Sequence, residues 1–287
     1  MHNVQTLYPS IAQETYDGEL LGNLTLANRL NGSIAAVTTL IHETGHMLGL
    51  PDYYSYSSAS GSGDNRGIGT CDMMFDSTGD HDAFSKWVLG WIGDENVTRV
   101  VVGADGLTVK RGTAEPEYVD GPVDVAVRAL ASEDASEGGG FLAVSADPDI
   151  LGEKGLFSSF YLVQYDQAVG NQLASATRLA NAFRVYRVQA ELDESGTGFV
   201  KTNSFGPDND KLIECLDPTG LSGHGLSEKC QLTLGDRITP ATAPSTNFRE
   251  SRAAGFTGID LTGGQTGCAA GELRVDYDGS LAPDPDA

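Results

Sequence analysis

Two histidines, a glutamate and an aspartate lie close together in the segment LIHETGHMLGLPDYY. His42 and His46 are four residues apart, so a helix through this segment would place both imidazoles on one face, about one turn apart. Two imidazoles that converge from one helix face suit a zinc ion. Glu43 is rotated away from that face, where it can reach a metal-bound water and act as a general base. Asp52 is the candidate third ligand, which leaves a fourth position open for water, as in catalytic zinc sites.

The surrounding segment NGSIAAVTTLIHETGHMLGL carries the signals of the helix that this arrangement needs. Ile34, Val37, Ile41 and Leu48 recur on one face with a period of about 3.6 residues. Gly49 can take a left-handed cap, and the proline that follows cannot continue the helical hydrogen bonds. The alternative is an ordinary amphipathic helix whose histidines and acids are only solvated polar residues.

A second helix is predicted in the segment HDAFSKWVLGW. Asp80 or Asp82 would cap its N-terminus, and Gly90 would end it. The segment between the two helices, SYSSASGSGDNRGIG, is polar and rich in glycine and serine, which predicts a surface loop.

The pattern changes near residue 95, after which apolar and β-branched residues recur with a period of two. VTRVVVG and GLTVKRG predict a hairpin. Further strands are predicted in VDVAVRAL, GFLAVSAD, SSFYLVQYD, AFRVYRVQAEL, GFVKT, CQLTLGD, GIDLTG and GELRVDYDG. Short strands between Gly, Pro and Asp turns are typical of antiparallel, sandwich-like sheets. The predicted fold class is α+β, with a catalytic region over residues 1–95 and a β-rich region over 96–287, where a division into two modules would fall near residue 205.

The charge of the chain excludes some classes of partner. Its 287 residues include 18 basic against 40 acidic residues, for a formal net charge of −22. Nucleic acids and anionic membrane surfaces are poor partners, because phosphate binding needs a basic face. No apolar run reaches about 18 residues, so no transmembrane helix is predicted. The first residues lack a basic stretch followed by an apolar one, so no signal peptide is visible.

The four cysteines, Cys71, Cys215, Cys230 and Cys268, form no C-x-x-C pair, so a cysteine zinc site is not predicted. Four cysteines allow three complete pairings, and spacing alone does not choose among them. Cys215 and Cys230 flank a glycine-rich loop, which favours them as a disulfide pair. The alternative is four reduced thiols.

The segment HETGHMLGLPDYY resembles the zinc signature of the immune inhibitor A-like metallopeptidases, secreted bacterial endopeptidases that are grouped with the metzincins. GIGTCDMMF resembles the Met-turn of that family, with Met74 at the methionine position. DAFSKWVLGWI resembles the helix that follows this turn. The resemblance is strong over residues 34–93 and continues faintly through FYLVQYDQAVGNQ, FRVYRVQAEL and TPATAPSTNF.

This resemblance implies a metzincin-like zinc-helix region followed by the β-sandwich-like region. It implies a zinc ion held by His42, His46 and Asp52, with Glu43 as the general base and Met74 beneath the metal without ligating it. The implied activity is hydrolysis of peptide bonds by metal-activated water. The expected partners are protein or peptide substrates, and the expected state is a secreted, extracellular monomer.

The short segment before the zinc helix leaves the function open to a second interpretation. Metzincins carry a substrate-holding sheet before this helix, whereas only about thirty residues precede it in this chain. Either the upper subdomain is reduced, or the chain starts within a longer protein. The alternative function is therefore a catalytically silent surface or binding protein that retains a peptidase-like scaffold.

Some residues near the motif also have two interpretations. Tyr54 would either hydrogen-bond a ligand or pack as a half-buried ring, and Cys71 would be either a weak extra ligand or a buried filler. His2, His81 and His224 lack ligand spacing, so we expect them at the surface. The segments SGDNRG and GPDNDK offer oxygen ligands for a structural calcium ion, although neither fits a complete loop signature.

Overall fold

The computed structural model shows a mixed α+β protein that consists mostly of β-sheet, with few helices. The structure describes residues 34–54, 56, 68, 72–77, 79–129, 140–167, 181–204, 211–216, 231–242, 245–246, 257–266 and 270–277. Among these residues, no helix is long and apolar enough to cross a lipid bilayer.

The helices of the described residues precede the strands. The α-helices are α1 (Ile34–Met47), α2 (Met73–Asp76) and α3 (Ala83–Val88). Short 3₁₀ turns cover Asp94–Asn96, Pro148–Leu151 and Gly155–Phe157. The strands are β1 (Val97–Val102), β2 (Leu107–Arg111), β3 (Glu117–Val119), β4 (Val123–Arg128), β5 (Phe141–Ser145), β6 (Ser159–Asp166), β7 (Ala182–Gln189), β8 (Ile213–Cys215), β9 (Gln231–Leu232), β10 (Arg237–Ile238), β11 (Ile259–Thr266) and β12 (Ala270–Tyr277).

Both predicted helices are present, and their ends follow the expected chemistry. After α1, Gly49 takes a φ of 103°, a left-handed conformation that glycine adopts without strain. Asp82 caps α3 by accepting a hydrogen bond from the backbone of Ser85 at 3.0 Å. Gly90, with a φ of 70°, follows the end of α3. Local sequence therefore sets the end of α1 and both ends of α3.

The strands form two sheets. The larger sheet has the order β3-β2-β1-β5-β6-β7-β8, with β9 also pairing with β7, and the smaller sheet has the order β10-β11-β12-β4. The predicted hairpin is confirmed, since β1 and β2 pair antiparallel from Thr98 opposite Arg111 to Val102 opposite Leu107. In one respect the expectation of antiparallel sheets is wrong, because β1 and β5 pair in parallel. Strands β2, β3 and β4 lie between β1 and β5 in the sequence. This long connection allows β5 to run parallel to β1.

The two sheets pack face to face in a sandwich-like arrangement. Val109, Val144 and Val163 of the larger sheet share one buried cluster with Leu261 and Leu273 of the smaller sheet. Strand β4 alternates buried and exposed residues, as a strand with one solvated face should. The predicted period of two is therefore clearest on the smaller sheet.

The opposite face of the larger sheet packs against the helical part. Phe160 and Leu162 of β6 share a second buried cluster with Met74, Phe84 and Trp87. Every residue of β7 is buried, because this central strand is covered on both faces. The larger sheet is therefore the surface on which the helical part packs.

Some strand predictions fail where the strand is very short or has no partner. GFVKT contributes only an isolated bridge between Leu192 and Phe199, and Val200 is 59% exposed. Strands β3, β8 and β10 are not predicted, because two or three residues are too few to show a period. In both sheets, strands on the two sides of the predicted module division near residue 205 pair with each other. Strands β8 and β9 pair with β7, and β12 pairs with β4.

Candidate metal centre

The side chains of His42, His46 and Asp52 converge at the C-terminal end of α1. The two Nε2 atoms are 3.1 Å apart, as expected for imidazoles one turn apart on one helix face. Asp52 Oδ1 lies 3.0 Å from His42 Nε2 and 3.2 Å from His46 Nε2. Each imidazole is 7% exposed and the carboxylate is 1% exposed. The structure thus brings together the three residues that the sequence predicts as metal ligands.

A tight turn after α1 returns the chain to the histidines. The Leu50 N–H donates to the Gly45 carbonyl at 3.0 Å, across the left-handed Gly49. The same turn brings the Leu50 carbonyl to 2.8 Å from His46 Nδ1. The turn therefore orients one histidine and directs Asp52 toward both.

Hydrogen bonds fix the tautomers of both histidines. His42 Nδ1 lies 2.6 Å from the Met73 carbonyl, and His46 Nδ1 lies 2.8 Å from the Leu50 carbonyl. A carbonyl oxygen only accepts, so each Nδ1 carries the proton and donates. In neutral imidazoles, both Nε2 atoms then present a lone pair. This is the arrangement in which protein histidines bind metals, with the second nitrogen held by a backbone carbonyl.

The two Nε2 atoms and Asp52 Oδ1 are electron-rich, so a positive charge between them would stabilise their close approach. In the described part of the chain, Asp52 Oδ1 is buried and accepts no hydrogen bond of good geometry. Two ligand atoms bound to zinc at about 2.0–2.1 Å, at a tetrahedral angle, are about 3.3 Å apart. The observed separations of 3.0 to 3.2 Å are close to this value. The donor set and its spacing therefore fit a zinc ion, and a shared proton is the other cation that would satisfy them.

Tyr56 holds the second oxygen of the aspartate. Its hydroxyl donates to Asp52 Oδ2, while its own N–H donates to the Ser204 carbonyl at 3.0 Å. Burial opposes the charged form of Asp52, but contacts with His42, His46 and Tyr56 outweigh burial and hold the pKa of Asp52 well below its ordinary value. The carboxylate is therefore ionised, with Oδ1 directed toward the histidines.

Glu43 is half-buried beside this cluster. Burial raises the pKa of Glu43 above its ordinary value of 4.5. Glu43 is near the cluster electrostatically but is not one of the three converging side chains. This position is consistent with a proton acceptor that does not bind the metal.

Met74 packs against α1 at Gly45, the residue before His46. Its side chain is completely buried. A Cβ atom added at Gly45 would lie only 2.5 Å from Met74 Sδ, so the methionine packs against the one residue of the helix that has no side chain. Met74 also donates its N–H to Asp72 Oδ1 at 2.7 Å, and its carbonyl accepts from the Tyr53 N–H at 2.9 Å. The methionine thus supports the helix and the turn that carries Asp52.

The prediction that His81 lies at the surface is wrong. His81 is 5% exposed, and its ring packs edge-on against Trp91 with the centroids 5.3 Å apart. Its Cε1 atom is 3.4 Å from the position that a Gly45 Cβ would occupy. Burial lowers the pKa of His81 below its ordinary value. The sequence does not indicate this burial, because Trp91 and α1 approach the ring only after tertiary packing.

Other predicted features have mixed outcomes. Tyr54 is half-buried, with its ring edge-on to Phe75 at 6.3 Å, as the packing interpretation expects. Cys71, His2 and His224 lie outside the described residues, as do the candidate calcium segments except for Lys211. Cys230 also lies outside them, so the predicted disulfide stays a prediction.

Sequence reasoning misses two residues of the centre, Tyr56 and Gly45. The four-residue spacing from Asp52 to Tyr56 follows a glycine-ended helix, and no periodic pattern marks it. Gly45 lies between the two histidines in HETGH, and a glycine inside a helix is a signal of close packing that could have identified it.

Comparisons with protein-family models, with curated proteins and with solved structures found no match to this chain. The geometry of the centre and the HExxH motif are therefore the features that bear on function.

Proposed function

We propose that this chain is the catalytic part of a zinc-dependent endopeptidase with a metzincin-like zinc helix. The observation that carries the proposal is the convergence of two Nε2 atoms and one buried carboxylate oxygen at 3.0 to 3.2 Å. Neutral imidazoles and a carboxylate are the ligands of catalytic zinc sites, which have three protein ligands. The HExxH motif and its resemblance to immune inhibitor A-like metallopeptidases support the same reaction.

The residues of the chain have distinct roles in this proposal. His42, His46 and Asp52 would hold the metal, and Tyr56 keeps Asp52 directed toward it. When bound, zinc would activate a water and polarise the scissile carbonyl. Glu43 takes a proton from the attacking water and passes it to the leaving amine.

The proposal is tested with Glu43→Gln in the longest natural chain that contains this segment. Glutamine keeps the shape of glutamate but cannot accept the proton. We expect Glu43→Gln to retain about one zinc per molecule and to lose at least about a hundredfold in hydrolysis of a broad peptide library. Glu95→Gln is the matched control, because Glu95 is an exposed residue outside the cluster, and its activity should be unchanged.

Metal binding is tested separately by elemental analysis of purified protein. The wild-type chain should carry about one zinc, and His46→Ala should carry none, because two ligands are too few for a stable site. Stoichiometric zinc in His46→Ala would refute the assignment of ligands. Loss of zinc in Glu43→Gln would show instead that Glu43 is a ligand.

The same experiment identifies the alternative function. A catalytically silent surface or binding protein would bind zinc equally in the wild type and in Glu43→Gln, and neither protein would cleave any peptide. In that outcome the centre would be structural, and the peptidase proposal would be abandoned.

A further inference from the structure

A buried hydrogen-bond network links the metal centre to the larger sheet. It begins at His42, whose Nδ1 donates to the Met73 carbonyl at 2.6 Å. Met73 is 31 residues further along the chain, so the orientation of this imidazole depends on where α2 is held. The Met73 N–H in turn donates to the Asp80 carbonyl at 3.1 Å.

Asp72 fixes α2 in this position. Its Oδ1 accepts from the Met74 N–H at 2.7 Å, and its Oδ2 accepts from the Asp82 N–H at 3.0 Å. Asp72 is completely buried. One carboxylate therefore joins the start of α2 to the start of α3, on both sides of the Met73 peptide that His42 contacts.

Strands β6 and β7 anchor the other end of the network. The Ala83 N–H donates to Gln164 Oε1 at 2.9 Å, and Gln164 Nε2 donates to Asp166 Oδ1 at 2.9 Å. Arg184 Nη2 donates to the same oxygen of Asp166 at 3.1 Å. These three side chains are buried, and they lie on the sheet face that packs against the helices. The start of α3, which Asp72 contacts, is therefore tied to the sheet.

We propose that Asp72 is a positioning residue of the metal centre, which fixes the Met73 carbonyl and thereby directs His42 Nε2 toward the metal. This inference rests on the proposed function, because it requires that His42 binds a metal. Residues that orient a metal-bound imidazole typically contribute about 10–100-fold to metal affinity. Asp72 acts on this imidazole through one peptide group.

The test measures zinc affinity by competition with a chelator in the full chain. Asp72→Ala removes both acceptors, and we expect zinc to bind about 10–100-fold more weakly. Asp72→Asn retains one acceptor for the Met74 N–H but turns an NH₂ group toward the Asp82 N–H, so we expect an intermediate loss.

Ser85→Ala is the matched control for destabilisation. Ser85 is completely buried and bonds to Asp82 Oδ2 at 2.9 Å and to the Tyr53 hydroxyl at 2.8 Å. None of these bonds reaches α2, so the variant should lower the free energy of unfolding without changing zinc affinity. The visible spectrum of the cobalt-substituted protein reports ligand geometry, and it should change in Asp72→Ala but not in Ser85→Ala.

The outcomes separate this inference from the proposed function. Equal zinc affinity in the wild type and in folded Asp72→Ala would overturn the positioning role and leave the centre intact. An equal loss of affinity in Ser85→Ala would also overturn it, because general destabilisation would then explain the effect. If Asp72→Ala does not fold, Asp72→Asn decides, and unchanged affinity in that variant overturns the inference. Absence of zinc from the wild type would instead refute the proposed function.

Discussion

Gly45 and Met74 offer a sharp test of the packing beneath the histidine pair. A Cβ atom at Gly45 would lie 2.5 Å from Met74 Sδ and 3.2 Å from Met74 Cε. Non-bonded carbon and sulfur atoms prefer separations of about 3.5–4.0 Å or more. Gly45→Ala must therefore displace the Met74 side chain, which is completely buried.

The expected magnitude has two opposing parts. Alanine inside a helix is more favourable than glycine by about 1 kcal/mol. Overpacking a buried site typically costs about 1–3 kcal/mol, so we expect Gly45→Ala alone to be destabilising by up to about 2 kcal/mol. Met74→Ala should cost about 2–5 kcal/mol because it leaves a cavity. When Met74 is already alanine, the overpacking is gone, and Gly45→Ala should then stabilise by about 1 kcal/mol.

The assay is a double-mutant cycle by urea unfolding, on metal-free and zinc-loaded protein. We expect a coupling free energy of about 1–3 kcal/mol between Gly45 and Met74. Thr44→Ala is the control, because Thr44 is an exposed neighbour on α1, and its coupling to Met74 should be near zero. If Gly45→Ala stabilises the wild type by the full helix-propensity gain, the sulfur does not pack against α1, and the reasoning is refuted.

Three further predictions concern Tyr56, His81 and the cysteines. Tyr56→Phe removes the hydroxyl that holds Asp52, so zinc affinity by chelator competition should fall about tenfold or more; unchanged affinity would contradict this role. His81 has a pKa lowered by burial, so the unfolded chain binds a proton more readily, and stability should be lost as the pH falls below the ordinary value of 6.5. His81→Gln should reduce that loss in urea unfolding at about pH 7 and about pH 5.5, and an equal loss in both proteins would show that His81 is not responsible. Cys215 lies opposite Tyr186, and Gln231, the residue that follows Cys230 in the sequence, lies opposite Arg184, so β8 and β9 both pair with β7. Non-reducing mass spectrometry of exported protein should show Cys215 linked to Cys230, whereas alkylation of both would contradict the disulfide.

The local parts of the structure are predictable from the sequence. The spacing of His42 and His46 directly predicts that their imidazoles meet on one face of α1, and the structure places their Nε2 atoms 3.1 Å apart. The cap at Asp82 and the left-handed Gly90 likewise follow from residue type. In each case the interacting groups are within a few residues, so the chain itself sets their geometry.

Features that depend on distant segments are not predictable in this way. The burial of His81 depends on Trp91 and on the underside of α1, and no pattern near residue 81 indicates it. Strand β8 has only three residues and exists because β7 offers it an edge. Val200 shows the converse case. Its β-branched side chain favours a strand, but it lies in none of the strands of the described residues and is 59% exposed.

The two histidines of the centre differ in how their orientation is achieved. His46 donates to the carbonyl of Leu50, four residues away, so the helix end and its turn can orient it without the rest of the fold. His42 donates to the carbonyl of Met73, which reaches it only when α2 packs under α1 on the sheet. All three candidate ligands lie within one short segment, but the second imidazole is oriented only by tertiary structure. Metal affinity should therefore depend on the packing of α2. Substitutions of residues that hold α2 in place, such as Asp72, should lower metal affinity without altering a ligand.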